Sequence, residues 1–406
     1  MPMWVWEKVQ EVLWKTMSTK VLIETLNIGI KNNNFDAVCF KIPADAKTAM
    51  VTTKNRYAAA PVILSRKNIL KSQPRYILVN SGNANACTGK IGLSNSLKCT
   101  NFISQKFDCK SSQVLLFSTG IIGNQLPIEN IEKKINEHKF SFKSSWKSAS
   151  KAIMTTDKFN KYISKSFLIN RKKITINAIC KGAGMIEPNM ATMLAFISVD
   201  ANLSKKLLNK LLKQVNDTSF NAISVDGEMS TNDSVVLIST GENKKIDFND
   251  SSNYKKLSYE LSVLCQDLAK MIIKDGEGST KIITINVHSS KSKSQAKLVA
   301  YSLANSNLIK TAMFGADPNW GRIIARLGSL NNINYSPEKV DLHINKMLIF
   351  TDGVQSNECN LKLLNKSMKK KEVVIDIALN CGSSDHSVIT SDLSHEYVHI
   401  NSAYTT

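Results

Sequence analysis

The sequence predicts an α+β protein of two domains, and three observations carry that reading. Short apolar runs recur, bounded by glycine, asparagine and serine: Tyr76 to Asn80, Val114 to Phe117, Ile174 to Ile179, Met193 to Val199 and Ile282 to Val287. Their length and β-branched content read as strands. Between them stand segments with apolar residues at helical spacing, above all Tyr254 to Lys274 with Leu257, Leu261, Leu264, Leu268 and Ile272. Finally, 406 residues outgrow one hydrophobic core, which stops enlarging at about 250–300 residues.

In chain order, the start MPMWVWEKVQEVLWK holds three of the five tryptophans and reads as a short amphipathic helix. It lacks the basic and long apolar regions of a signal peptide, and the arginine of a transit peptide. An apolar patch follows at Ala37 to Ile42. The run from Tyr76 stops at NSGNANACTG (Asn80 to Gly89), which is loop chemistry. It is not a phosphate-binding loop, because the glycine spacing is wrong and Ile91 follows Lys90 where a hydroxyl residue is required. The run from Val114 leads into Ser118, Thr119 and Gly120. A hydroxyl and a free backbone N–H at a sharp turn are what an oxyanion site needs. Pro127 to His138 reads as a helix with proline near its start. Met154 to Lys158 reads MTTDK.

The stretch KGAGMIEPNMATMLAFISVD (Lys181 to Asp200) organises the rest. A polar, glycine-containing loop runs abruptly into a buried strand, and Thr192, after the small Ala191, stands at the seam. Pro188 holds its own φ and biases its predecessor away from helix. Beyond it, Ser204 is placed to cap a helix carrying Leu207, Leu208, Leu211, Leu212 and Val215. Asp226, Glu228 and Asp233 miss the calcium-loop spacing and read as a polar turn between strands. The long helix ends at DGEG (Asp275 to Gly278), as glycines end helices. The Ser/Lys-rich stretch His288 to Ser294 breaks the chain, a domain boundary falls near Asn286, and a second βα arrangement begins at Val299.

Composition excludes some classes. A net charge of +20 points toward nucleic acid. However, the basic residues are scattered lysines with only six arginines, and aromatics are 7 %, without the interleaving a stacking surface needs. No apolar run approaches the ~18 residues of a membrane span. The eight cysteines form no CxxC pair and predict no disulfide framework. His395 to His399 fits the HExxH zinc pattern, but its β-branched and aromatic residues read as a strand. In a strand the two imidazoles stand too far apart for one ion, and no ligand residue follows. No metal site is expected.

KGAGMIEPNMATML, TAMVTTKNRYAAAPV, NSGNANACTG, the STG after Val114, MTTDK, SFNAISVDGEMSTNDSV, DGEG, GADPNWGRI and the closing YVHINSAYTT together resemble the ornithine acetyltransferase family, also called glutamate N-acetyltransferase, from residue 27 to the end. The resemblance implies stacked β-sheets flanked by helices. It divides the chain into an N-terminal extension (1–26), a catalytic domain (27–285) and a smaller C-terminal domain (286–406) that returns to the active site. It implies self-cleavage of the Ala191–Thr192 bond into an alpha chain 1–191 and a beta chain 192–406, two of each forming a cytoplasmic heterotetramer. Thr192 is then the acyl-accepting nucleophile, and the new α-amine, with a pKa of about 7.7–8.0, supplies its base. Thr119 and Gly120 stabilise the oxyanion, while Thr155, Lys181, Thr192, Glu277, Asn401 and Thr406 bind substrate. The implied reaction moves acetyl from N2-acetylornithine to glutamate without a cofactor, with acetyl-CoA as a further candidate donor. Two sites depart from the family pattern, Lys158 and the CGSSDHSVITSDLS segment from Cys381. The competing readings are an N-terminal-nucleophile amidase with water as acceptor, and a lysine-rich nucleic-acid-binding protein.

Overall fold

The computed structural model describes residues 20–32, 34–187, 193–241 and 246–403. The Trp-rich start, Ala191, Thr192 and Thr406 lie outside the described residues.

Two sheets stack face to face. The first has the order β1-β2-β4-β5, from Leu22–Leu26, Ala37–Lys41, Tyr76–Asn83 and Val114–Ile121. The second has the order β3-β10-β8-β7-β6, with β3 at Lys47–Thr52, β6 at Lys161–Ile169, β7 at Lys172–Lys181, β8 at Leu194–Val199 and β10 at Ser234–Ser239. Strand β8 is continuously apolar because it is central, pairing antiparallel with β7 and parallel with β10, and all its residues are buried. The facing sides interdigitate through Phe40, Phe117 and Phe196, with Val38, Ile77, Val79, Val236 and Ile238 around them. The Phe196 ring lies 5.2 Å from Phe40 and 5.5 Å from Phe117.

Helices close both outer faces. On the first sheet lie α1 (Ala60–Lys71), α2 (Gly89–Lys106) and α3 (Ile128–Glu137), the last two burying Phe102, Ile103, Ile131 and Ile135 against the strands. The short α4 (Trp146–Ala152) plugs one edge of the inter-sheet core with Ala149 and Ala152. On the second sheet lie α5 (Lys205–Asp217) and α6 (Ser251–Lys274). Ser204 caps α5 by accepting the Leu207 N–H, and Leu208, Leu211, Leu212 and Val215 form its buried face. The layering is α-β-β-α, as the stacked-sheet expectation required.

A third, seven-stranded sheet has the order β14-β13-β12-β15-β11-β16-β9. Its strands are β9 (Ile223–Ser224), β11 (Ile282–Ser290), β12 (Asp341–Ile344), β13 (Met347–Thr351), β14 (Val354–Gln355), β15 (Glu372–Ala378) and β16 (Ser384–Ser391). Helices α7 (Lys293–Ala304), α8 (Asn307–Phe314), α9 (Trp320–Gly328) and α10 (Leu361–Met368) pack on it over a separate core.

The structure corrects three local expectations. Strand β5 does not end before the STG: it runs on through Gly120 to Ile121. The polar stretch after Val287 is only a tight turn, because β11 continues to Ser290 and Ser292 caps α7 by accepting the Gln295 N–H. The C-terminal segment is a helix, α11 (His395–Ala403), not a strand. Its β-branched and aromatic content states a preference for half-buried surfaces rather than a backbone rule, and tertiary contacts override it. Ser394 donates to the Gly278 carbonyl at 2.6 Å, and Asn401 donates to the Glu277 carboxylate at 3.0 Å. The strand argument against a zinc pair at His395 and His399 therefore fails. His395 instead packs edge-on to Phe314, with ring centroids 5.7 Å apart. Among the described residues no group of three His, Cys, Asp or Glu side chains is placed to hold a metal. All eight cysteines are free, and no helix among the described residues is long and apolar enough to cross a membrane.

Truncating Phe196 to Ala opens the centre of the inter-sheet core. Equilibrium denaturation should show a loss of about 3–5 kcal/mol, far more than a substitution at the exposed Leu168 on β6.

Candidate active site

Where the first two sheets meet the loop after α6 and the terminal helix, a cavity of about 150 Å³ opens. Six of the residues expected from the sequence line it: Thr119 and Gly120 from β5, Thr155 from the α4–β6 loop, Lys181 from the end of β7, Glu277 from the loop after α6, and Asn401 from α11. Gly120 has φ +133°, and a Cβ there would lie 2.3 Å from the Gly82 carbonyl carbon. Only glycine permits that close parallel pairing of β4 and β5.

Lys181 is 3 % exposed, and its Nζ donates to the Thr119 hydroxyl at 3.3 Å. Burial lowers its pKa, against the pull of Asp157, whose Oδ2 lies 3.8 Å from Nζ. Asp157 is itself fixed from several sides. Its Oδ1 accepts from Lys161 Nζ at 2.7 Å and the Gly182 N–H at 2.8 Å, and its Oδ2 from the Thr155 N–H at 3.0 Å. Burial alone would raise the Asp157 pKa. Lys181 and Lys161, with the hydrogen bonds from Lys161 and Gly182, outweigh that and hold it at about 2. Lys161, with no exposed side-chain surface, also reaches Asp275 at 2.5 Å. Asp275 then accepts the Lys158 N–H at 3.1 and 3.2 Å. The departure at Lys158 is thereby explained: its side chain is exposed, and only its amide is used.

The opposite wall is acidic. Asn401 Nδ2 donates to Glu277 Oε2 at 3.0 Å, and the Glu277 N–H bonds the Ala183 carbonyl at 2.8 Å. Gly184 faces that carboxylate so closely that a Cβ would lie 2.4 Å from Oε2. Asp226, expected only to decorate a turn, accepts the N–H groups of Met185 and Ile186 at 2.7 and 2.9 Å. Burial raises its pKa against those bonds. Tyr397 places its hydroxyl 3.5 Å from Asp226 and lines the cavity with Asn232 and Glu228.

Sequence reasoning missed Asp157, Lys161, Asp275, Asp226, Tyr397 and Asn232. The signal was present for Asp157 and Asp275, which sit inside MTTDK and DGEG beside residues already singled out. Lys161 carried none, since one lysine among 47 (53 Lys+Arg less six Arg) looks like solvated surface.

Residues 22–406 match the ArgJ family model. The chain belongs to the ArgJ family. Its relatives include the arginine biosynthesis bifunctional protein ArgJ of Lactococcus lactis, 38 % identical over 95 % of this chain and 96 % of that one. The Pseudomonas fluorescens protein of the same name is 38 % identical over 93 % of this chain and 94 % of its own length. The mitochondrial ArgJ protein of Dictyostelium discoideum is 38 % identical over 94 % and 91 %. Among solved structures, an ArgJ protein from Bacillus halodurans is 31 % identical with a TM-score of 0.49, covering 52 % of this chain and 98 % of that one. The cavity of this ArgJ-family chain thus pairs one buried cation with several carboxylates, a distribution suited to an amino-acid ligand.

The depressed Asp157 pKa has a definite sign for stability. A carboxylate held below its ordinary value of 3.8 stabilises the fold above that value and loses the contribution as pH falls toward about 2. Its worth is roughly 2 kcal/mol. Asp157→Asn also leaves Lys161 with one carboxylate fewer, so denaturation near neutral pH should show a loss of about 3–5 kcal/mol. The gap to wild type should narrow when both are measured at about pH 3. A gap that stays constant with pH would contradict the assignment.

Proposed function

We propose that the chain moves an acetyl group from N2-acetylornithine to glutamate through an acetyl–Thr192 ester, yielding ornithine and N-acetylglutamate in arginine biosynthesis. One observation carries this reading. Across a chain that belongs to the ArgJ family over nearly its whole length, an oxyanion pair, a buried lysine and a carboxylate–amide pair line one cavity. Met193, which follows Thr192 in the chain, donates its N–H to Asp233 at the entry of the neighbouring strand β10, next to the cavity-lining Asn232.

The chemistry proceeds in two halves. Self-cleavage before Thr192 leaves chains 1–191 and 192–406 and exposes an α-amine. That amine takes the proton as the Thr192 hydroxyl attacks the acetyl carbonyl. The Thr119 hydroxyl and Gly120 N–H receive the developing negative charge. Such donors are worth roughly 3–4 kcal/mol each when preorganised, and the pairing of β4 with β5 at Gly82 and Gly120 supports that role. Lys181 holds a substrate carboxylate, Glu277 with Asn401 holds an ammonium, and Thr155 and Thr406 complete the pocket. Ornithine leaves, glutamate enters the same site, and its amine takes the acetyl group. No metal or cofactor takes part, and acetyl-CoA is a further candidate donor, in keeping with the name bifunctional borne by the relatives. Two copies of each cleaved chain form the cytoplasmic assembly. Family membership favours this transfer over hydrolysis by an N-terminal-nucleophile amidase. Acetate release from N2-acetylornithine should therefore be small and should not replace glutamate-dependent ornithine formation.

Two variants test the assignment. Thr192→Ala should purify as one uncut chain of 45.0 kDa by intact-mass measurement and be inactive; full activity would remove Thr192 from the mechanism. Thr119→Ala, in cleaved protein, should lose about 10²–10³ in kcat with little change in KM. A change in KM alone would assign Thr119 to binding instead.

A further inference from the structure

The self-cleavage just proposed needs a proton carrier of its own, since the α-amine that serves acetyl transfer does not exist until the bond is cut. We infer that Asp233 carries that proton. This inference rests on the reading of Thr192 above.

Asp233 is fully buried at the entry to β10. Its Oδ1 accepts the Met193 N–H at 3.0 Å, and the Ser234 N–H returns a bond to the Met193 carbonyl at 3.0 Å. Residue 193 is thus locked against 233–234 from both sides. Oδ2 has no hydrogen-bond partner among the described residues. The neighbouring Thr53 hydroxyl is already committed to the Ser230 carbonyl at 2.7 Å. A buried carboxylate oxygen without a partner is costly, so its retention calls for an explanation. Chain connectivity supplies one. Thr192 immediately precedes Met193 in the chain, so the bond to be cut is one residue from the amide that Asp233 holds. The open oxygen therefore belongs to the carboxylate that grips the residue next to the scissile bond.

The step balances as follows. Oδ2 takes the proton of the Thr192 hydroxyl as Oγ1 bonds to the Ala191 carbonyl carbon. It then delivers that proton to the Thr192 nitrogen as the C–N bond breaks, leaving an ester and a free amine. Water attacks the ester carbonyl, one of its protons passes to Oγ1 as the C–Oγ1 bond breaks and the other is released to solvent, so Ala191 leaves as a carboxylate and Thr192 regains its hydroxyl. Asp233 ends as it began. The groups set against it among the described residues are Lys181 on β7, Thr53 after β3 and the Met193 amide at the entry to β8. Burial raises the Asp233 pKa well above the ordinary 3.8 against the pull of the Met193 amide and Lys181, which brings proton affinity closer to working pH.

The test is Asp233→Asn, which keeps an oxygen for the Met193 N–H and removes proton affinity. Folded variant protein, judged by thermal unfolding beside Thr192→Ala, should remain uncut at 45.0 kDa or be cut at least about 10²-fold more slowly. Folded Asp233→Asn cut at the wild-type rate overturns the inference while leaving the acyl-transfer reading in place. Wild-type protein that is never cut overturns that reading instead. Should the variant not fold, newly synthesised wild-type chain decides the matter. Its rate of cutting should fall on acidification with a midpoint above 3.8, and a rate that stays flat as the pH is lowered all the way to about 3.8 overturns the proposal. Where residual cutting by the Asn variant is measurable, that pH dependence should be gone.

Discussion

A lysine shut off from solvent between two carboxylates is the feature on which the cavity depends. Lys161 opens β6, Asp157 lies in the loop before it, and Asp275 ends α6. Such an arrangement is a poor way to gain stability, because desolvating the charges offsets much of their attraction. What it supplies is position. Asp157 reaches from Lys161 to the Thr155 amide, the Gly182 amide and the Lys181 ammonium. One carboxylate thereby sets three parts of the site, and Lys181 in turn meets the Thr119 hydroxyl. The charges are mutually dependent, so loss of one member leaves another buried and uncompensated.

The same logic governs the connection from β7 to β8. Its described ends are held by carboxylates from elsewhere in the chain. Asp226 grips the amides of Met185 and Ile186, and Asp233 grips that of Met193. Glu187 works in the other direction, accepting from Ser224 and from Asn305 of the loop after α7, both at 2.9 Å. Backbone in such a position cannot pair in a ladder, and buried amides need partners. Acidic side chains meet that need and place charge beside the cavity at once, which links the folding of this segment to its chemistry.

The terminal helix shows how the third sheet takes part. Strand β16 leads through Asp392, which accepts the Thr280 and Lys281 amides at 2.8 and 2.9 Å, into α11. Tyr397 and Asn401, one turn apart, then face Asp226 and Glu277. The C-terminal sheet thus finishes the wall of a cavity begun by the other two. The departures around Cys381 lie on the approach to this helix, where Cys381 packs half-buried against the third core.

Much of this was legible in the chain alone. Periodicity located β8, α5 and α6, because a central strand must be apolar on both faces and a surface helix on one. Thr119, Gly120, Lys181 and Glu277 stood out because the motifs around them resemble those of the ornithine acetyltransferase family. Tertiary structure alone decided the rest. Whether Lys161, Asp226 or Asp233 is solvated or buried depends on partners 40 to more than 100 positions away, and local pattern carries no record of them. Residues 395–403 read as a strand by composition and form a helix by contact, since preference at a half-exposed terminus is weaker than the bonds made to Gly278, Asp226 and Glu277.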